Sequence, residues 1–154
     1  MSLCLGLRQQ RHRHARLSRL ILKFNELGDA GVQALAPLLP RTSLTKLVLW
    51  RNGIGDPGAE AIAVVLPPSL TELSLGDNQI GDSGASALAA AMPPALETLN
   101  LWINRIGPAG ATAMAAALPL SLTMLYLSDN PIGDAGAEAI ARHMPPQLAS
   151  LSSA

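Results

Sequence analysis

Residues 44–55 read LTKLVLWRNGIG, and residues 70–81 answer with LTELSLGDNQIG. The same skeleton returns at 96–107 (LETLNLWINRIG) and 122–133 (LTMLYLSDNPIG), with a first copy at 17–28 (LSRLILKFNELG). Asn52, Asn78, Asn104 and Asn130 are spaced 26 residues apart, and Asn25 lies 27 residues before Asn52. Five in-register copies of L-x-x-L-x-L-x-x-N-x-[LI]-G define a repeat protein. A partial sixth copy begins at Leu148 and runs to Ala154 with no dedicated cap.

Within each copy the hydrophobic period changes. The L-x-L segment alternates as a short strand does, and GDPGAEAIAVVLPP (residues 55–68) has the spacing of a helix. Asp56 is placed to cap that helix, with Pro57 in its first turn, where a missing N–H costs nothing. Pro67-Pro68 ends it. Asp29, Asp82 and Asp134 repeat the cap, whereas Pro108 takes that slot in the fourth copy, so the fourth helix is expected to start less well anchored. A single strand-turn-helix cannot bury its apolar face, but stacked copies can. The recurring asparagines Asn25, Asn52, Asn78, Asn104 and Asn130 then read as structural, their amides satisfying backbone groups where the chain leaves each strand.

This pattern resembles the leucine-rich repeat family, and NQIGDSGASALAAAM (residues 78–92) is similar to its ribonuclease-inhibitor-like strand-plus-helix type. The resemblance implies an α/β solenoid, a curved right-handed horseshoe segment with a parallel sheet on the concave side and helices on the convex side. It also implies a protein-binding role for the concave sheet, although fold alone does not fix function. The domain spans residues 17–154, after a basic amino-terminal segment, residues 1–16, expected to act as a cap.

Numbering the first leucine of each copy as position 1, leucines at positions 4 and 6 point inward and positions 3, 5 and 7 point out of the sheet. Position 7 holds Lys23, Trp50, Gly76, Trp102 and Ser128, and position 5 holds Ile21, Val48, Ser74, Asn100 and Tyr126. Position 3 holds Arg19, Lys46, Glu72, Thr98 and Met124, and position 8, at the rim, holds Phe24, Arg51, Asp77, Ile103 and Asp129. All four aromatic residues of the chain fall in these columns. Burial of aromatic rings dominates core energetics, so their placement outside the core needs another reason. Binding hot spots are enriched in Trp, Tyr and Arg. The expected partner-binding set on the concave face is therefore Trp50, Trp102, Tyr126, Arg51, Lys46, Glu72, Asp77 and Asn100. With strands about 4.8 Å apart, Trp50 and Trp102 should stand roughly 10 Å from each other, with an open slot above Gly76. Charge along this face changes from basic at the amino end to acidic further on, a gradient that would orient a partner. Packing between copies, or mutual covering of the indoles, are the other readings of the aromatic column.

Net charge is zero, but residues 1–23 carry six basic residues and no acid, against five basic and eleven acidic residues in the remainder. The segment Arg8–Arg19 has the Arg-rich, acid-free character of a transit peptide, of a nucleic-acid arm, or of a contact with an anionic surface, but no aromatic residues interleave for base stacking. Leu3, Leu5 and Leu7 alternate as a degenerate capping strand would. The single Cys4 forms no intramolecular disulfide, which favours a reducing, intracellular and cytoplasmic setting, with an organelle as the other reading. No apolar run is long enough for a transmembrane helix. His12 and His14 lack Cys or acidic company and His143 is remote, so neither a metal site nor a cofactor is expected. There is no Walker loop, nucleophile elbow or HExxH motif, and the features of the family's GTPase-activating branch are not recognisable. The expected function is a non-enzymatic protein–protein interaction module. The alternative is a structural subunit self-assembling through its solenoid end and alanine-rich convex helices, where Val64, Ala90 and Ala116 point outward.

Overall fold

The computed structural model describes residues 17–152. The basic segment 1–16, with its expected capping strand, Cys4, His12 and His14, lies outside the described residues. Six three-residue strands alternate with five α-helices. These are β1 (Arg19–Ile21), α1 (Gly28–Leu35), β2 (Lys46–Val48), α2 (Asp56–Ala63), β3 (Glu72–Ser74), α3 (Asp82–Ala90), β4 (Thr98–Asn100), α4 (Pro108–Ala115), β5 (Met124–Tyr126), α5 (Gly133–His143) and β6 (Ser150–Ser152). A 3₁₀ helix, Ala36–Arg41, follows α1. The strands form one parallel sheet in sequence order, each pairing with the same positions of the next copy: Leu20 with Leu47, Leu47 with Leu73, and so on to Leu125 with Leu151.

Leucines at positions 1, 4 and 6 and isoleucine at position 11 interlock between copies. Leu44, Leu47, Leu49, Ile54, Leu70, Leu75, Ile80, Leu96, Leu101 and Ile106 are all fully buried. In the first copy Leu20, Leu22 and Leu27 are only half-buried, and Leu17 is exposed. One neighbour is missing on that side among the described residues. Helices need about 8–10 Å between axes and strands only about 4.8 Å, so stacking both in one repeat bends the sheet inward and makes its outer surface concave.

The asparagines join one copy to the next. The Asn78 amide donates to the Leu49, Leu75 and Gly76 carbonyls, while its Oδ1 accepts the N–H groups of Asn52 and Ile54, each at 3.0 Å. Asn52 and Asn104 are buried in equivalent arrangements. A buried amide is tolerated because these bonds replace those lost to water.

The aspartates act differently from the sequence expectation. None caps its own helix. Asp29 Oδ1 instead accepts the N–H groups of Gly55 (2.7 Å) and Gly58 (3.0 Å), at the start of the following helix α2. Asp56 does the same for Gly81 and Gly84 of α3, and Asp82 for Gly107 and Gly110 of α4. Each carboxylate lies so close that a β-carbon at Gly58, Gly84 or Gly110 would collide with it. The consequence of Pro108 therefore moves by one repeat. Helix α4 keeps its carboxylate from Asp82, and α5 is the helix that loses one. At Gly133 the backbone turns to φ +60, where Gly55, Gly81 and Gly107 stay extended at φ −98, −101 and −89. Gly28, whose helix also has no upstream carboxylate among the described residues, turns to φ +57 in the same way.

Candidate partner-binding face

The concave face is built from positions 3, 5 and 7. Alternation in each strand buries the position-4 leucine and leaves its neighbours Lys46, Val48, Glu72, Ser74, Thr98 and Asn100 half-buried on the outer side. The parallel hydrogen-bond ladder continues past the three-residue strands: the N–H of Leu49 meets Ser74 O at 2.8 Å and that of Arg51 meets Gly76 O at 3.0 Å. At position 8 the chain then turns sharply. Phe24, Arg51, Asp77, Ile103 and Asp129 all adopt left-handed backbone, with φ between +47 and +61. Two consecutive bonds to the next copy hold that turn, from the position-8 N–H to a carbonyl and, in the first two copies, from the position-9 N–H to an asparagine side chain. A row of non-glycine residues in this region costs roughly 1–2 kcal/mol each. The sequence gives no sign of it, because Phe, Arg, Asp and Ile share no turn chemistry.

Three of the four aromatic rings meet. Phe24 packs edge-on against Trp50 with ring centres 4.6 Å apart, and Trp50 lies 5.7 Å from Trp102 at an interplanar angle of 32°. The expected 10 Å slot is therefore closed. Trp102 leans back over Gly76, where a β-carbon would fall inside the indole. Gly76 is the floor on which Trp102 rests, and no gap is left for an inserted side chain. Asn100 Oδ1 accepts the Trp102 N–H at 3.1 Å and helps fix the turn that carries the indole. Trp50 Nε1 is buried without an acceptor, enclosed in this stack. Tyr126 stands apart, its hydroxyl 3.5 Å from the Met124 sulfur.

Beside the stack runs an open groove of about 370 Å³, floored by Ile21, Val48 and Ser74, walled by Trp50, Trp102 and Asn100, and bordered by Lys23, Lys46 and Glu72. Arg51 lies 5.6 Å above the Phe24 ring at the rim.

A family model described as "Leucine Rich repeat" matches residues 17–36, 42–63, 67–89 and 120–141, more than half of the chain. The chain belongs to the leucine-rich repeat family. Repeats of this family generally mediate protein–protein interaction and are typically not enzymes. None of the curated proteins compared matches the sequence.

Within this leucine-rich repeat frame the charge gradient is partly cancelled. Lys46 pairs with Glu72 at 2.6 Å and Arg51 with Asp77 at 3.7 Å, each across adjacent copies, so four of the expected gradient charges neutralise one another. On the opposite face Val64 is 86% exposed, and Ala90 and Ala116 also face outward. No described helix is long and apolar enough to cross a membrane.

Proposed function

We propose that the chain is a non-enzymatic interaction module that receives a protein partner on its concave sheet. Trp50 and Trp102 supply the contact area, with Lys46, Arg51, Glu72, Asp77, Asn100 and Tyr126 around them. The observation that carries this reading is the continuous Phe24–Trp50–Trp102 surface beside an open groove. Three of the chain's four aromatic rings are spent on one outer patch while the core is built from Leu, Ile, Val, Ala and Met. Trp on a rigid sheet loses little conformational entropy on binding, and Trp and Arg dominate interface energetics.

The test places a photo-crosslinking residue at exposed Lys23, beside the groove, and a control at exposed Ala90 on α3. Irradiation in extract of the native cell should give an adduct with another protein from position 23. Trp50→Ala/Trp102→Ala, shown by circular dichroism to be folded, should abolish it. Adducts from position 90 alone would move the site to the helices. Adducts joining only two copies of the chain would favour self-assembly, a reading supported by the open edges of β1 and β6 among the described residues.

A further inference from the structure

The concave face holds its uncompensated positive charge at one end. Glu72 is held by Lys46 and Asp77 is reached by Arg51, so both acids on the β3 side of the groove are already matched by a base from the adjacent copy. Arg19 and Lys23, in and just after β1, are exposed and meet no carboxylate among the described residues. Glu26 does not offset them at the groove, because it lies past the rim in a separate hollow with Phe24 and Arg51. From Lys23 the groove leads over apolar Ile21 and Val48 to the indole wall.

Resting on the concave-face reading above, we infer that the occupant is an extended acidic peptide segment of the partner. Its carboxylates meet Arg19 and Lys23 and an apolar residue lies against Trp50 and Trp102. Trp102 leans back over Gly76, which brings its indole above the third copy, two strand spacings or about 10 Å from β1. An extended chain covers that distance in about three residues, at roughly 3.3 Å each. The motif is therefore one or two acids followed or preceded, about three positions away, by a large apolar side chain. A single-stranded nucleic acid fits less well. Its phosphates need cations along the whole track, and here the cations stop at one end, with Glu72 inside the groove and exposed Asp129 on the rim beyond it. The faces that Trp50 and Trp102 turn to each other are also closed to a stacking base.

The experiment selects a displayed library of random twelve-residue peptides on the immobilised full chain. Recovered peptides are then titrated by intrinsic tryptophan fluorescence against wild type, Arg19→Glu/Lys23→Glu and Trp102→Ala. All three target side chains lie outside the core, and circular dichroism checks each fold. The expected result is enrichment of the acid-plus-apolar motif, with binding about tenfold weaker for the charge-reversed variant, as for paired charges at an interface. Binding should also weaken as salt rises and be lost in Trp102→Ala. Neutral or basic peptides that need Trp102 but ignore the charge reversal would overturn the acidic preference and leave the concave face as the site. Failure to recover any peptide that distinguishes wild type from Trp102→Ala would overturn both. Displacement of the peptides by a mixed-sequence single-stranded oligonucleotide at lower concentration would replace the peptide with a nucleic acid.

Discussion

Trp50 buries an indole N–H that no acceptor meets, at a cost of about 1–3 kcal/mol for an unsatisfied donor. Replacing Trp50 with Phe removes that donor and keeps an aromatic ring between Phe24 and Trp102. We expect Trp50→Phe to leave the unfolding free energy within about 1 kcal/mol of wild type or to raise it, whereas Trp50→Ala costs about 2–3 kcal/mol through lost packing. Urea unfolding of the two variants checks this, and equal destabilisation by both would show that the indole nitrogen is satisfied in solution. The outward position of Trp50 was legible, since period two assigns it to the face opposite the buried leucines. Its contact with Trp102 was not, because strand spacing fixes where a side chain starts and says nothing of how far a large one leans. Gly76 carried the missing signal. A glycine between two tryptophans in one column can mark a gap, or a floor for a ring lying flat, and only the structure separates the two.

The aspartates raise the corresponding problem for whole helices. An Asp at the start of four of the five helices satisfies two readings, a cap for its own helix or for the next, because a repeating column has no built-in direction. The column of Gly58, Gly84, Gly110 and Gly136 could have broken the tie. A self-capped helix has no need of glycine in its first turn, but a helix whose first turn presses on a neighbour's carboxylate does. Pro108 then tests the arrangement. Pro108→Asp should supply the carboxylate that Gly133 and Gly136 lack, relax Gly133 from its left-handed conformation, and stabilise the carboxyl-terminal copy by about 0.5–1 kcal/mol. Amide hydrogen exchange at Gly133 and Gly136 should slow. Unchanged exchange at both would mean that α5 is positioned by packing alone.

Among the described residues the strands and helices of each copy pack on those of its neighbours, with Trp50 and Trp102 meeting across the third copy, so the cost of a defect depends on where it falls. Asn78 bonds to three carbonyls and two N–H groups and is buried, whereas Asn25 is exposed and, among the described residues, its amide bonds only to Lys23 O. Asn78→Ala is expected to cost about 3 kcal/mol or more and Asn25→Ala less than about 1 kcal/mol, read from denaturant midpoints. Equal losses would rule out the nearest-neighbour picture. The order of the elements and the stacking were legible from the 26-residue period, while the pairing of Lys46 with Glu72 and Arg51 with Asp77 was not, since a charge gradient written along the sequence folds into adjacent columns. The aspartate linkage also means that the unit of construction is offset from the unit of sequence: a carboxylate belongs with the glycines that follow it 25 or 26 and 28 or 29 residues on. Excising residues 86–111 would splice Ala85 to Thr112 and bring Asp82 into the place Pro108 held. The shortened solenoid would then have an unbroken chain of carboxylates from α1 to its last helix. That excision would also remove Trp102. The segment that interrupts the molecule's own joinery is thus the segment that carries Trp102 of the proposed binding face.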